Sequence, residues 1–158
     1  MRAYLGVDNG VTGSLGFVGD GLTRWLPMPV RKELSYTKSK KFITRVDVEK
    51  LRLEIAVHKG RDILALIERP MVNPGRFTAT LSAMRCLEAT LIVLEDLKVS
   101  YQYVDSREWQ KVMLPSGLQG DELKKASLEV GRRLWPSINF KPDADAMLMA
   151  RWAQVRNL

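Results

Sequence analysis

The stretch that most constrains the fold of this chain is a run of five apolar residues, Ile63 to Ile67, which ends on Glu68. A strand that is apolar at every position is typical of the centre of a sheet covered on both faces. Apolar residues at helical spacing occur both before and after this run, so helices are available to cover it. The run therefore predicts an α/β fold with layered helices and sheet.

Three further strands are predicted before this run. Arg2 to Asp8 forms the first, and glycines then separate two short apolar segments, Ser14 to Val18 and Leu22 to Met28. The polar stretch from Pro29 to Arg45 is rich in lysine and arginine, and we expect a mobile basic loop there. The N-terminal part is thus expected to be a three-stranded meander followed by this loop.

Helices alternate with strands in the rest of the chain. Apolar spacing predicts helices over about 47–59, over about twenty residues that include Leu81 and Leu94, and over about 106–113, 123–134 and 143–156, with a short strand at Tyr101 to Val104. We therefore expect one domain spanning residues 1–158, with a mixed sheet of about five strands flanked by helices.

The composition limits the partners and the kinds of catalytic site that this chain can have. The chain carries 25 Lys and Arg against 18 Asp and Glu, a formal charge of +7, and this excess favours an acidic polymer such as nucleic acid as a partner. His58 and Cys86 are the sole residues of their types, so a zinc site and Ser/His/Asp or Cys/His catalysis lack their parts. No signal peptide or membrane span is evident, and we expect a cytoplasmic protein.

Carboxylates must then carry any hydrolytic chemistry. Asp8 and Glu68 each close a predicted strand, and ligands of open α/β sheets bind beyond strand ends. Either acid could instead face water or pair with an arginine. Asp143 and Asp145 lie at the start of the last helix, where one of them could serve only as a cap. If the four converge, they suit two Mg²⁺ or Mn²⁺ ions about 4 Å apart, arranged for phosphodiester hydrolysis.

These motifs resemble those of the RuvC family of Holliday-junction resolvases. The matching segments are Leu5 to Gly10 with Thr12-Gly13, Leu66 to Glu68, and Asp143 to Ala146, in the family's order and roughly its spacing. The match resembles the short members carried by bacteriophages of Gram-positive bacteria. The resemblance implies a ribonuclease H-like fold, a homodimer in a bacterial cell, two divalent metals per site, and paired nicks at four-way DNA junctions.

The resemblance also assigns roles to residues. It implies that Asp8 bridges the metals, that Glu68 ligates one, and that Asp145 completes the site, while the helix through Leu81 and Leu94 supplies much of the dimer contact. The family usually places its last two acids three residues apart, but Pro142 stands three before Asp145. Either Asp143 substitutes from outside regular helix, or the fourth ligand is missing.

Basic residues and one aromatic are candidate DNA contacts. Lysines and arginines would track phosphates, and Phe77 could wedge into or stack on an opened base. Each of these residues could equally belong to a solvated surface or to ordinary helix packing. The candidates are Lys38, Lys40, Lys41, Arg69, Arg76, Phe77, Lys111, Lys124 and Lys125.

Three functions are compatible with these features. The leading hypothesis is a Mg²⁺-dependent endonuclease that cuts branched DNA, Holliday junctions and possibly replication forks. The alternative is a non-catalytic protein that binds branched DNA, because the third acidic motif departs from the family pattern. A fragment of an actin-like phosphotransferase ranks last, since such enzymes need two domains closing on a nucleotide. We accordingly expect no nucleotide cofactor and no membrane partner.

Overall fold

The computed structural model describes residues 2–158 and is built around a five-stranded mixed sheet. The strands are β1 (Ala3–Asp8), β2 (Ser14–Gly19), β3 (Leu22–Pro27), β6 (Ile63–Glu68) and β7 (Ser100–Val104). Their order in the sheet is β3-β2-β1-β6-β7, in which β2 is antiparallel to both of its neighbours and β6 is parallel to both of its neighbours. The predicted meander and central strand are therefore confirmed.

Five helices flank this sheet. They are α1 (Val48–Ala56), α2 (Phe77–Asp96), α3 (Ser106–Met113), α4 (Asp121–Leu134) and α5 (Asp145–Arg156), and a 3₁₀ turn at Pro74–Arg76 precedes α2. The first helix is shorter than predicted and the last begins two residues later than expected. The second difference matters for the acidic residues described below.

The two faces of the sheet carry separate cores, which explains the unbroken apolar run in β6. Ile63, Ala65 and Ile67 pack with α1 and α2, while Leu64 and Leu66 pack with residues of α3, α4 and α5. Because successive side chains of a strand point to opposite faces, both sets must be apolar when both faces are covered. The prediction of an α/β layered fold is confirmed.

The prediction of a mobile basic loop from Pro29 to Arg45 is wrong. Residues 29–45 contain most of a two-stranded antiparallel sheet, made of β4 (Val30–Leu34) and β5 (Phe42–Val46). The backbone N–H of Asp47 donates to the carbonyl of Pro29 over 2.9 Å and closes the base of this hairpin. Cross-strand hydrogen bonding, which leaves little trace in a charged sequence, orders the segment.

The helix α2 is unusually apolar. Together with its preceding turn, Pro74–Asp96 is long and apolar enough to cross a membrane, although a buried core helix passes the same criterion. One side of α2, including Cys86, Val93 and Leu94, packs into the core. Only 28% of its most apolar 18-residue window is buried, so much apolar surface remains exposed.

Candidate active site

Asp8 and Glu68 lie side by side at one edge of the sheet. Their strands β1 and β6 are parallel neighbours, and Val7 pairs with Ile67 in the register. The next residue on each strand is the acid, and neighbouring strands lie about 4.8 Å apart. The expectation that these two strands are adjacent is confirmed, and their terminal carboxyl groups share one edge.

Two further acids reach this edge from the start of α5. Asp145 is the first residue of the helix, and Asp143 precedes it in non-helical backbone. Asp143 is only 5% exposed, and its Oδ1 accepts a hydrogen bond from the backbone N–H of Asp145 over 3.2 Å. The position of Asp143 outside the helix is one of the two alternatives that the sequence left open.

Two glycines let α5 lie against the sheet. A Cβ atom added at Gly6 of β1 would lie 1.9 Å from the carbonyl oxygen of Ala146, and one added at Gly16 of β2 would lie 2.5 Å from the backbone nitrogen of Met147. Neither distance is sterically possible, so a larger residue at either position would push the helix away. The close approach carries Asp145 to the edge that holds Asp8.

Burial and mutual repulsion hold protons on this cluster. The pKa of Asp8, Glu68 and Asp145 is raised to about 7 in each case, chiefly by burial. Repulsion from Asp143 contributes to the rise at all three residues. The positive charge of Lys124 on α4 partly opposes these effects at Asp8 and Asp145. The four acids are therefore close enough to interact electrostatically.

Two buried side chains donate hydrogen bonds to the acids. The Nε1–H of Trp109, which is fully buried, donates to Oε2 of Glu68 over 3.2 Å. Ser127 of α4 donates to Oδ1 of Asp145, and its hydroxyl oxygen accepts from the backbone N–H of Ala144 over 3.1 Å. The sequence did not reveal the contact of Trp109 with Glu68, and it gave no sign of Ser127.

Two polar atoms beside Asp8 lack partners. The Oδ1 atom of Asn9 and the Oγ atom of Ser14 are buried, and within residues 2–158 neither has a hydrogen bond. Ser14 pairs directly with Asp8 in the β1–β2 register. Buried oxygens without partners are costly, and a nearby cation or its bound water would satisfy them.

The donor set fits a hard divalent cation. It consists of carboxylate oxygens, which Mg²⁺ and Mn²⁺ prefer, and the buried negative charge needs compensation. Across residues 2–158, no three His, Cys, Asp or Glu side chains already form a group spaced to hold a metal ion. The acids therefore fit the metal in type and charge, while their ligand geometry is not preformed.

The candidate DNA contacts lie on several elements. All are exposed, and Phe77, the first residue of α2, is 71% exposed. Of these residues, Lys124 is tied to the acids through its charge, and Arg69 follows Glu68 and lies 5.6 Å over the ring of Tyr103. The others lie at the hairpin tip (Lys38, Lys40, Lys41), on the 3₁₀ turn (Arg76), on α3 (Lys111) and on α4 (Lys125).

Comparison with known proteins identifies the fold. No protein-family model and no curated protein matches the sequence. A structure of Thermus thermophilus RuvC in complex with a Holliday junction substrate is similar, with a TM-score of 0.64, 14% identity, and coverage of 99% of this chain and 95% of that chain. A second T. thermophilus RuvC structure has a TM-score of 0.60 and 14% identity, with coverage of 98% and 96%. This chain therefore has the ribonuclease H-like fold of the RuvC structures.

Proposed function

We propose that this protein is a metal-dependent endonuclease that hydrolyses phosphodiester bonds in branched DNA. The observation that carries the proposal is the gathering of Asp8, Glu68, Asp143 and Asp145 at one sheet edge. The chain's basic charge and its likeness to a RuvC structure that holds a Holliday junction support DNA as the substrate. We place this activity in the cytoplasm of a bacterial cell.

The four acids would hold two Mg²⁺ or Mn²⁺ ions per site. Such ions, when bound, activate a water and stabilise the leaving oxygen of a phosphodiester. The protein's own part is to fix the carboxylates, with Trp109 orienting Glu68 and Ser127 orienting Asp145.

The surroundings of the site would bind the DNA backbone. Lys124 lies close enough to influence Asp8 and Asp145, so it is placed to contact a phosphate next to the scissile bond. We assign further phosphate contacts to Arg69, Arg76, Lys111 and Lys125, which are exposed. Phe77 begins α2 with its ring in solvent, where it is available to stack on an unpaired base.

We also propose that the protein acts as a homodimer through α2. Met84 and Ile92 are 41% and 50% exposed on a helix that is apolar overall. Exposed apolar surface of this kind marks interfaces. Two copies would supply two cutting sites to one junction. Sedimentation of the purified protein should give the mass of a dimer, and a monomer at micromolar concentration would contradict this assembly.

A labelled four-way junction tests the activity. Wild-type protein should nick it in Mg²⁺ or Mn²⁺, whereas Asp8→Asn and Glu68→Gln should lose more than about 100-fold in rate because they remove metal ligands. Both variants should still bind the junction. Glu129→Gln, an exposed acid of α4, is the matched control and should cut normally. Forks and plain duplex, run alongside, report the substrate range.

The same assay decides against the proposal in two ways. Full cleavage by Asp8→Asn or Glu68→Gln would show that these acids do not carry the reaction. A junction that wild-type protein binds but leaves intact in both metals would indicate a non-catalytic binder of branched DNA.

A further inference from the structure

The β4–β5 hairpin starts from the edge of the sheet that holds the acids. Asp8 pairs with Ser14 across β1 and β2, and Ser14 pairs with Pro27 across β2 and β3. Pro27 is therefore two strands from Asp8, or about 10 Å. The hairpin begins three residues later, at Val30, so its base lies beside the candidate active site.

The hairpin carries unneutralised positive charge. Its arginines, Arg31 and Arg45, both pair with Glu33, the single acid between residues 29 and 46. Its four lysines are exposed, and within residues 2–158 none has a carboxylate at ion-pair distance. These are Lys32, Lys38, Lys40 and Lys41. These lysines are therefore available to an acidic partner such as the DNA backbone.

One face of the hairpin combines charge with apolar surface. Leu34 pairs with Phe42, and Lys32 lies two residues along on the same face. Leu34 is 56% exposed and Phe42 is 70% exposed. Lysines beside isolated apolar side chains match the edge of a DNA groove, where phosphates flank base methyl groups. This combination of lysines and apolar side chains is less suited to binding a purely apolar protein surface.

We infer that this hairpin inserts into the major groove of a duplex arm beside the branch point. The inference rests on the proposed function. A two-stranded ribbon is one of the elements that the major groove admits. Five residue pairs rise about 17 Å, which corresponds to about five base pairs at 3.4 Å each. The hairpin thus extends the contact along an arm without touching the scissile phosphate.

Salt-dependent binding tests this role with a matched pair of variants. Lys38→Gln/Lys41→Gln removes two charges from the tip, and Lys59→Gln/Lys98→Gln removes two from the opposite end of the sheet, near Ile63. Affinity for a four-way junction is measured in Ca²⁺ over a salt series. The tip variant should lower the slope of log Kd against log salt by about two, since each phosphate contact contributes about 0.9. The control should leave the slope unchanged.

Arm length gives a second readout. Shortening all junction arms from about two helical turns to less than half a turn should weaken wild-type binding and should affect the tip variant far less. Thermal melting establishes that both variants are folded. Equal losses in the two variants, or wild-type slope and arm dependence in the tip variant, would overturn the hairpin's role.

The outcomes separate the two proposals. The control variant Lys59→Gln/Lys98→Gln, which lies outside the proposed DNA contacts, should bind and cut the junction as wild-type protein does. Wild-type binding without cleavage would overturn the nuclease and leave the hairpin's role intact. Wild-type protein that binds no junction would overturn both.

Discussion

Asp8 imposes a stability cost that can be measured directly. It is partly buried near Glu68 and Asp143, and its pKa is raised from 3.8 to about 7, chiefly by burial. We predict that Asp8→Asn stabilises the metal-free protein at pH 8, although the same substitution is expected to abolish cleavage. A neutral amide of similar shape removes the charge that burial disfavours.

The sign and size of this change in the free energy of unfolding follow from proton linkage. The unfolded chain ionises Asp8 near pH 3.8 and the folded chain near pH 7, so between these values the folded state binds more protons. The free energy of unfolding therefore falls as pH rises through this window. Asp8 imposes no penalty below about pH 4 and its full penalty above about pH 7. Since each pKa unit corresponds to about 1.4 kcal/mol, the full penalty is about 4 kcal/mol.

Denaturant unfolding in a chelator measures this difference. Wild-type protein should lose several kcal/mol between pH 5 and pH 8, and Asp8→Asn should lose about 3 kcal/mol less, because about two of the pKa units of the shift lie above pH 5. Glu129→Gln, which changes an exposed acid, should follow the wild-type pH dependence. Added Mn²⁺ should stabilise wild-type protein more than Asp8→Asn, because binding to the folded state adds to its stability. Identical pH dependence in wild type and Asp8→Asn would refute the reasoning.

Two further predictions concern the hydrogen bonds that hold the acids. Trp109→Phe removes the N–H that orients Glu68, and calorimetry should show that Mn²⁺ binds this variant about tenfold more weakly. The control is Trp152→Phe, which should bind Mn²⁺ as wild-type protein does, because the buried indole N–H of Trp152 has no partner within residues 2–158. Ser127→Ala removes the partner of Asp145 and of a buried N–H, and should lower the free energy of unfolding in urea by about 2 kcal/mol; unchanged stability would contradict this.

The layered fold was predictable because its signals are local. The apolar run of β6 reports two covered faces from its own residues, and glycines mark the ends of β1 and β2. The proximity of Asp8 and Glu68 required one further assumption, that their strands are neighbours, which the register confirms. Two of the four acids of the candidate site, Asp8 and Glu68, were therefore predictable from their positions at strand ends.

The hairpin was not predictable for a physical reason. The strand β4 reads Val-Arg-Lys-Glu-Leu, so its alternation of side chains is hidden by charge on both faces. Pairing with β5 and the hydrogen bond between Asp47 and Pro29 determine its structure, and neither leaves a periodic pattern. Ser127 was missed similarly, because it meets Asp145 from 18 residues away.

The short spacing of the last two acids is explained by where α5 begins. Residues two apart within a helix point in nearly opposite directions, so Asp143 and Asp145 could not both face one site from regular helix. The helix instead begins at Asp145, and Ala144 has φ −109° and ψ 15°, outside helical values. Asp143 is thereby free to bond the N–H of Asp145 while its charge acts on Asp8 and Glu68. A spacing that would be incompatible within a helix is compatible at its boundary, and the site keeps a fourth acid.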